Sequence, residues 1–207
     1  MAELDHLVVA ARSLPEGRAW LEQRLGVPMS PGGQHLPMGT HNALLSLGPS
    51  CYLEVISIDP SLPTPTRPRW FALDDPAMQA RLAVAPALVH WVVRTEDLAG
   101  DAALLKGSGP ALPMRRGDFA WHITVPDDGS LPEDGVSPTL IQWATADHPC
   151  QRLPDPGVRL DQLQLSHPDA ERISGGLTHI GLGAIAVSVG PHRMSAQLRV
   201  AGQSVTL

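Results

Sequence analysis

One short pattern occurs twice in this chain. Leu4-Asp5-His6-Leu7-Val8-Val9-Ala10-Ala11-Arg12 is an apolar run carrying a single histidine, and Leu88-Val89-His90-Trp91-Val92-Val93-Arg94-Thr95 has the same shape. Each reads as a strand start, because a short apolar stretch bounded by polar residues suits a buried strand. A paler copy, Leu160-Asp161-Gln162-Leu163-Gln164-Leu165, has glutamine where the histidine stood. A duplicated strand fixes much of what can follow, since the chain must build its core from repeated units.

The segments after each copy agree. After the first, Ser13 is a suitable N-cap, with Pro15 and Glu16 in the first turn of a helix reaching about Gln23. Residues 27–37 are rich in Pro and Gly and read as a loop. Strands are expected over 39–47 and 51–58, joined by the turn signal Gly48-Pro49-Ser50. A proline-rich connection leads to a helix over 75–82. The second copy then gives a strand over 88–94, a helix over 98–106 and strands over 119–125 and 139–144. His6 precedes Glu54 by 48 residues and His90 precedes Gln142 by 52, so Gln142 is taken as the counterpart of Glu54. From about 158 a third, truncated unit follows, with a helix over 170–177 and short strands after it. The expected class is α+β: tandem βαβββ modules at 1–85 and 86–150, and a truncated third βαββ segment at 151–207 packed on the same domain.

Composition narrows the function classes. The 207 residues include 15 Lys and Arg against 21 Asp and Glu, with no basic run, which argues against a nucleic-acid partner. No apolar stretch reaches the length of a membrane span, and no basic leader precedes the first strand. Two cysteines, Cys51 and Cys150, without a CxxC pair are expected to be free packing thiols. A cytoplasmic, bacterial-like protein with a small-molecule partner is the expectation, with a homodimer as one role for the third segment.

Histidine on the first strand and Glu or Gln on the last strand of a repeated βαβββ unit resembles the vicinal oxygen chelate superfamily, which includes glyoxalases, bleomycin-resistance proteins and extradiol dioxygenases. LDHLVVAARSLPEG, GTHNALL and YLEVISIDP are similar to its glyoxalase-like branch. The resemblance implies a half-open mixed β-barrel around a divalent metal (Zn, Ni, Mn or Fe, or none in members that have lost it). Carried over residue by residue, the ligands are His6, Glu54, His90 and Gln142. Two imidazoles and a carboxylate form a facial set with open positions for a substrate oxygen. Glu54 is also the candidate catalytic base toward a carbon acid.

Around that cavity, His35, His41 and Asn42 in a glycine-rich stretch, together with His122 and Trp143, are the candidate substrate contacts. Three readings follow. The first is a metal-dependent lyase or isomerase acting on a small oxygenated molecule. The second is a metal-free protein that sequesters a small molecule. The third is a non-heme iron dioxygenase.

Overall fold

A computed structural model describes residues 1–144 and 147–207. The first module runs β1 (Glu3–Ala10), α1 (Leu14–Leu25), β2 (Ser30–His35), β3 (Thr40–Ser46) and β4 (Tyr52–Ile58). A connection ending in α2 (Pro76–Val84) leads to the second module: β5 (Ala87–Arg94), α3 (Leu98–Leu104), β6 (Ala111–Arg116), β7 (Phe119–Thr124) and β8 (Thr139–Trp143). The eight strands form one sheet in the order β2-β3-β4-β1-β5-β8-β7-β6. In each module the first strand pairs in parallel with the last, and β1 meets β5 antiparallel at the centre. The sheet curls until β2 and β6 approach each other, which nearly closes a barrel.

Local sequence explains the elements. Ser13 accepts a hydrogen bond from the Glu16 N–H, and Gly26 ends α1 in the left-handed region at φ 66°. Asp75 caps α2 through the N–H groups of Ala77 and Met78. The strand β2 departs from the loop expected over 27–37. Ser-Pro-Gly-Gly-Gln-His carries no apolar alternation, so nothing in it signals a strand; it is an edge strand held by backbone pairing to β3. The strand β6 was likewise hidden, because Pro113 and the two arginines interrupt its apolar pattern.

The two faces of the sheet hold separate cores. The convex face carries Leu7, Val9, Leu45, Leu53, Val55, Trp91, Val93 and Leu140, covered by α1, α3 and the C-terminal segment. The concave face carries Val8, Ala10, Ile56, Val92, Ile123 and Ile141, and the connection between modules presses Trp70, Phe71 and Leu73 into it. Phe71 and Ala72 adopt φ of 58° and 54°, a left-handed turn that non-glycine residues seldom make.

The C-terminal segment continues through α4 (Pro149–Arg152), β9 (Arg159–His167), α5 (Ala170–His179), β10 (Val187–Val189), β11 (Arg193–Val200) and β12 (Gln203–Thr206). Its four strands form their own sheet, ordered β10-β9-β11-β12. It carries one more strand than expected, and its first strand lies between β10 and β11, an order unlike that of the modules. Among the described residues, no helix is long and apolar enough to cross a membrane.

Candidate active site

Two irregularities in the β1–β5 ladder build the site. The pairing slips by one residue between Leu4 and His6, so Asp5 has no partner opposite it. A bulged residue breaks the alternation of a strand and re-aims its side chain. Asp5 and His6, though adjacent, therefore both turn toward the concave side, and both are buried. A second slip between Val8 and Val9 does the same for Val89 and His90. The two modules thus share a backbone device and differ in the residues placed on it: Asp5-His6 in the first, Val89-His90 in the second.

Asp5 accepts three N–H groups. His6 Nδ1 donates to Oδ1 at 2.6 Å, while His148 Nε2 and Trp143 Nε1 both donate to Oδ2 at 2.9 Å. Burial pushes the Asp5 carboxyl up, but the hydrogen bonds and charges of His148 and His6 outweigh it and hold the group well below the usual carboxylate range. His148 keeps the matching tautomer, since its Nδ1 accepts the Cys150 N–H at 3.3 Å. The bond to Asp5 commits His6 Nδ1 as a donor, so proton chemistry at this imidazole belongs to Nε2.

His6 Nε2 lies 3.6 Å from Glu54 Oε2. The other oxygen of Glu54 accepts from Asn42 Nδ2 at 2.5 Å, and Asn42 Oδ1 accepts the Gly33 N–H at 2.8 Å. The Tyr52 ring stacks on His6 with centroids 4.5 Å apart. Burial, with the charges of Asp5 and Glu54, pushes the Tyr52 phenol well above its ordinary value, so it stays an O–H donor. His6, Tyr52, Glu54, His35, Trp143 and Phe71 are among the residues lining a cavity of about 20 Å³, room for about one water. Arg116 and Trp121 line it too, and they also line an outer groove of about 1270 Å³ between the β2 and β6 edges.

The expected residues divide. His6 and Glu54 meet, and His35 and Trp143 reach the same cavity. Asn42 is buried and spends its amide on Glu54 and Gly33, away from the mouth where a substrate contact was expected. His41 lies on the opposite face of β3, 3.3 Å from Asp59. His122 is on the exposed face of β7, at the wall of the outer groove.

Gln142 does not face the cavity: it donates to the Glu96 carbonyl at 2.6 Å, while its neighbours Ile141 and Trp143 point inward. The register explains the slip. Val8 stands beside Glu54, and Val92 stands beside Thr139. The counterpart of Glu54 is therefore Thr139, 49 residues after His90.

His90 is occupied elsewhere. Its Nε2 accepts the Thr139 N–H at 3.1 Å and lies 3.0 Å from the Thr139 hydroxyl. Its Nδ1, which must then carry the hydrogen, is buried beside Gly135 without a well-formed hydrogen bond. Phe71 packs on the ring at 5.4 Å and stands between His90 and the cavity. Burial pushes this imidazole down to about 3, so it is neutral. The four donors expected to hold a metal are thus not brought to one point. Among the described residues, no group of three or more His, Cys, Asp or Glu side chains is arranged to hold a metal ion.

Asp5, His148 and Tyr52 were not foreseen as site residues, whereas Arg115 and Arg116 read from the sequence as residues able either to hold a carboxylate-bearing substrate or to be solvated. A carboxylate next to a histidine in a strand reads as facing the other way, and only the bulge reverses that. Cys51 and Cys150 are free, as expected, and burial pushes the Cys150 thiol up to about 12.

A family model described as a glyoxalase-like domain matches residues 4–181. No curated protein matches the chain. Among solved structures, a hypothetical protein from Staphylococcus aureus is similar over 100% of this chain and 84% of its own, at 12% identity and a TM-score of 0.55, a likeness of fold. A methylmalonyl-CoA epimerase in complex with methylmalonyl-CoA and NH4+ is similar over 72% of this chain and 99% of its own, with 21% identity and a TM-score of 0.42. The epimerase from Mycobacterium tuberculosis gives 18% identity and a TM-score of 0.39 over 70% of this chain and 88% of its own.

Proposed function

The chain belongs to the glyoxalase-like domain family of the vicinal oxygen chelate superfamily, and from that premise we propose an isomerase- or lyase-type enzyme that moves a proton on a small oxygenated molecule. The observation that carries this reading is the buried chain Asp5–His6–Glu54, with His6 Nε2 turned toward Glu54 at the cavity. A base needs a fixed tautomer and a partner that can take up or return its proton. Asp5 supplies the first and Glu54 the second.

In the proposed step, a C–H bond next to a carbonyl breaks and its proton passes to His6 Nε2. The electron pair moves onto the carbonyl oxygen, and the neutral Tyr52 phenol offers that oxygen a hydrogen bond. Return of the proton to the same or a neighbouring carbon completes an isomerisation. No step is assigned to a metal, because only His6 and Glu54 of the expected donors face a common point. The dioxygenase reading loses the third ligand of its facial set with His90.

The outer groove favours a second reading, in which the protein sequesters a small molecule: its wall is largely apolar and far roomier than the inner cavity. One assay separates the two. Protein is incubated in D₂O with 2-oxo acids, hydroxyaldehydes and acyl thioesters, and loss of the α-proton signal is followed by NMR. The enzyme reading expects exchange in at least one class, slowed about 100-fold in Asp5→Asn. Saturable binding with no exchange in any class contradicts it.

A further inference from the structure

The outer groove holds a cation whose only polar partner among the described residues is neutral. Three arginines line it: Arg115, Arg116 and Arg152. Arg152 is engaged, reaching Asp118 at 3.4 Å and Asp147 at 2.5 Å while its guanidinium lies over Phe119. Arg115 is exposed to solvent. Arg116 is half-buried, and among the described residues no carboxylate pairs with it. Its Nη1 donates to His35 Nε2 at 3.3 Å, and its guanidinium sits 6.0 Å from the centre of the Trp121 ring.

The surroundings hold this side chain in place without neutralising it. His35 is buried, and its Nδ1 is fixed by the Thr40 hydroxyl at 3.1 Å. Burial first, and then the Arg116 charge, push the His35 imidazole well below its ordinary value, so it accepts from Arg116 as a neutral base. Gly33 on β2 leaves the space that Arg116 crosses; a Cβ there would lie 2.8 Å from Arg116 Cδ. No nitrogen of the guanidinium is both buried and left without a hydrogen-bond partner. Around this cation the groove wall is apolar: Leu36, which is 64% exposed, with Pro37, Phe119, Leu153 and Met114.

We propose that Arg116 is a carboxylate-binding residue, and that the groove between β2 and β6 takes an amphipathic monocarboxylate with its apolar body along Leu36, Pro37, Phe119 and Leu153. A guanidinium presents two parallel N–H groups to a carboxylate, which a neutral head group cannot match. Because Arg116 and Trp121 line both spaces, an acid held there has its neighbouring carbons at the entrance to the His6 cavity. This names the substrate class for the proton-transfer reading and rests on that reading only for what happens after binding.

The test uses 4-phenylbutyrate and its primary amide, which share an apolar body and differ in charge. Binding to the full chain is followed by tryptophan fluorescence and saturation-transfer NMR. The wild type is expected to bind the acid at least ~10-fold more tightly than the amide. Arg116→Met is expected to erase that preference, and Arg116→Lys to keep part of it. Gly33→Ala, which displaces Arg116 without removing it, is expected to weaken the acid alone and serves if Arg116→Met does not fold. His6→Gln is expected to bind the acid as the wild type does, so failure of the proton-transfer reading leaves this result standing. Equal affinity for acid and amide, no saturable binding of the acid, or a preference that survives Arg116→Met overturns the proposal.

Discussion

The same residue type does opposite work at His6 and His90, and the difference lies in the residue before it and the residue its side chain meets on the neighbouring strand. Before His6 stands Asp5, and its Nε2 is turned toward Glu54, which pairs with Val8; at the second position these are Val89 and Thr139, which pairs with Val92. Without a carboxylate beside it, a buried imidazolium is poorly stabilised, and burial is the largest influence on its proton affinity. Burial holds the His90 imidazole at about 3 in the fold, below its ordinary value of 6.5, so between those values the unfolded state binds the extra proton. The stability His90 contributes is therefore present in full above pH 6.5 and declines as pH falls toward 3, by roughly 1.4 kcal/mol per pH unit. His90→Gln, whose amide oxygen can still accept the Thr139 N–H, is expected to flatten that part of the stability–pH curve in urea denaturation. An unchanged slope contradicts the assignment of His90 as a neutral structural residue.

At the scale of elements, what holds Glu54 is an edge strand that hardly looks like one. The strand β2 contributes a backbone N–H from Gly33 to Asn42, and Asn42 in turn holds Glu54. Close approach is the reason for glycine: a Cβ on Gly32 would stand 2.0 Å from Asn42 Oδ1 and 2.6 Å from the Asn42 carbonyl oxygen. Gly32→Ala is thus expected to cost about 1–3 kcal/mol by displacing Asn42. Gly175→Ala on α5, where nothing lies within 4 Å, is expected to gain up to about 1 kcal/mol. Thermal melting of both variants checks the pair, and equal effects would remove β2 from the account of the site.

This strand also shows where a sequence reading runs out. The strands β1, β4, β5 and β8 were legible because apolar runs and a repeated histidine announce them. Ser30–His35 has no apolar periodicity to read, and its meaning lies in how closely it approaches Asn42. The bulge at Asp5 is equally silent, because alternation predicts that neighbours face opposite ways. The Gln142 assignment failed by three residues for a related reason. Matching an amide to a carboxylate by residue type placed the counterpart of Glu54 on the wrong face of β8, whereas the parallel register with β5 selects Thr139.

Across the whole molecule, a duplicated fold has become structurally one-sided. The pseudo-symmetric sheet puts β1 and β5 side by side at its centre, where a site shared by both modules would lie. Instead, the connection between modules inserts two rings there, Trp70 against His35 and Phe71 against His90. The first module keeps its carboxylates and the cavity, the second contributes Trp143 and Arg116, and the C-terminal sheet backs the convex face. The proposed proton transfer belongs to His6, held by Asp5, and not to a centre that His6 and His90 share. Deuterium incorporation into the best-exchanging carbon acid, compared among wild type, His6→Gln and His90→Gln after dialysis against a chelator, tests it most directly. The account predicts a loss of about 100-fold or more in His6→Gln and a rate within about threefold of wild type in His90→Gln. Equal losses in the two variants, restored to the wild type's rate only by adding a divalent ion, would contradict it.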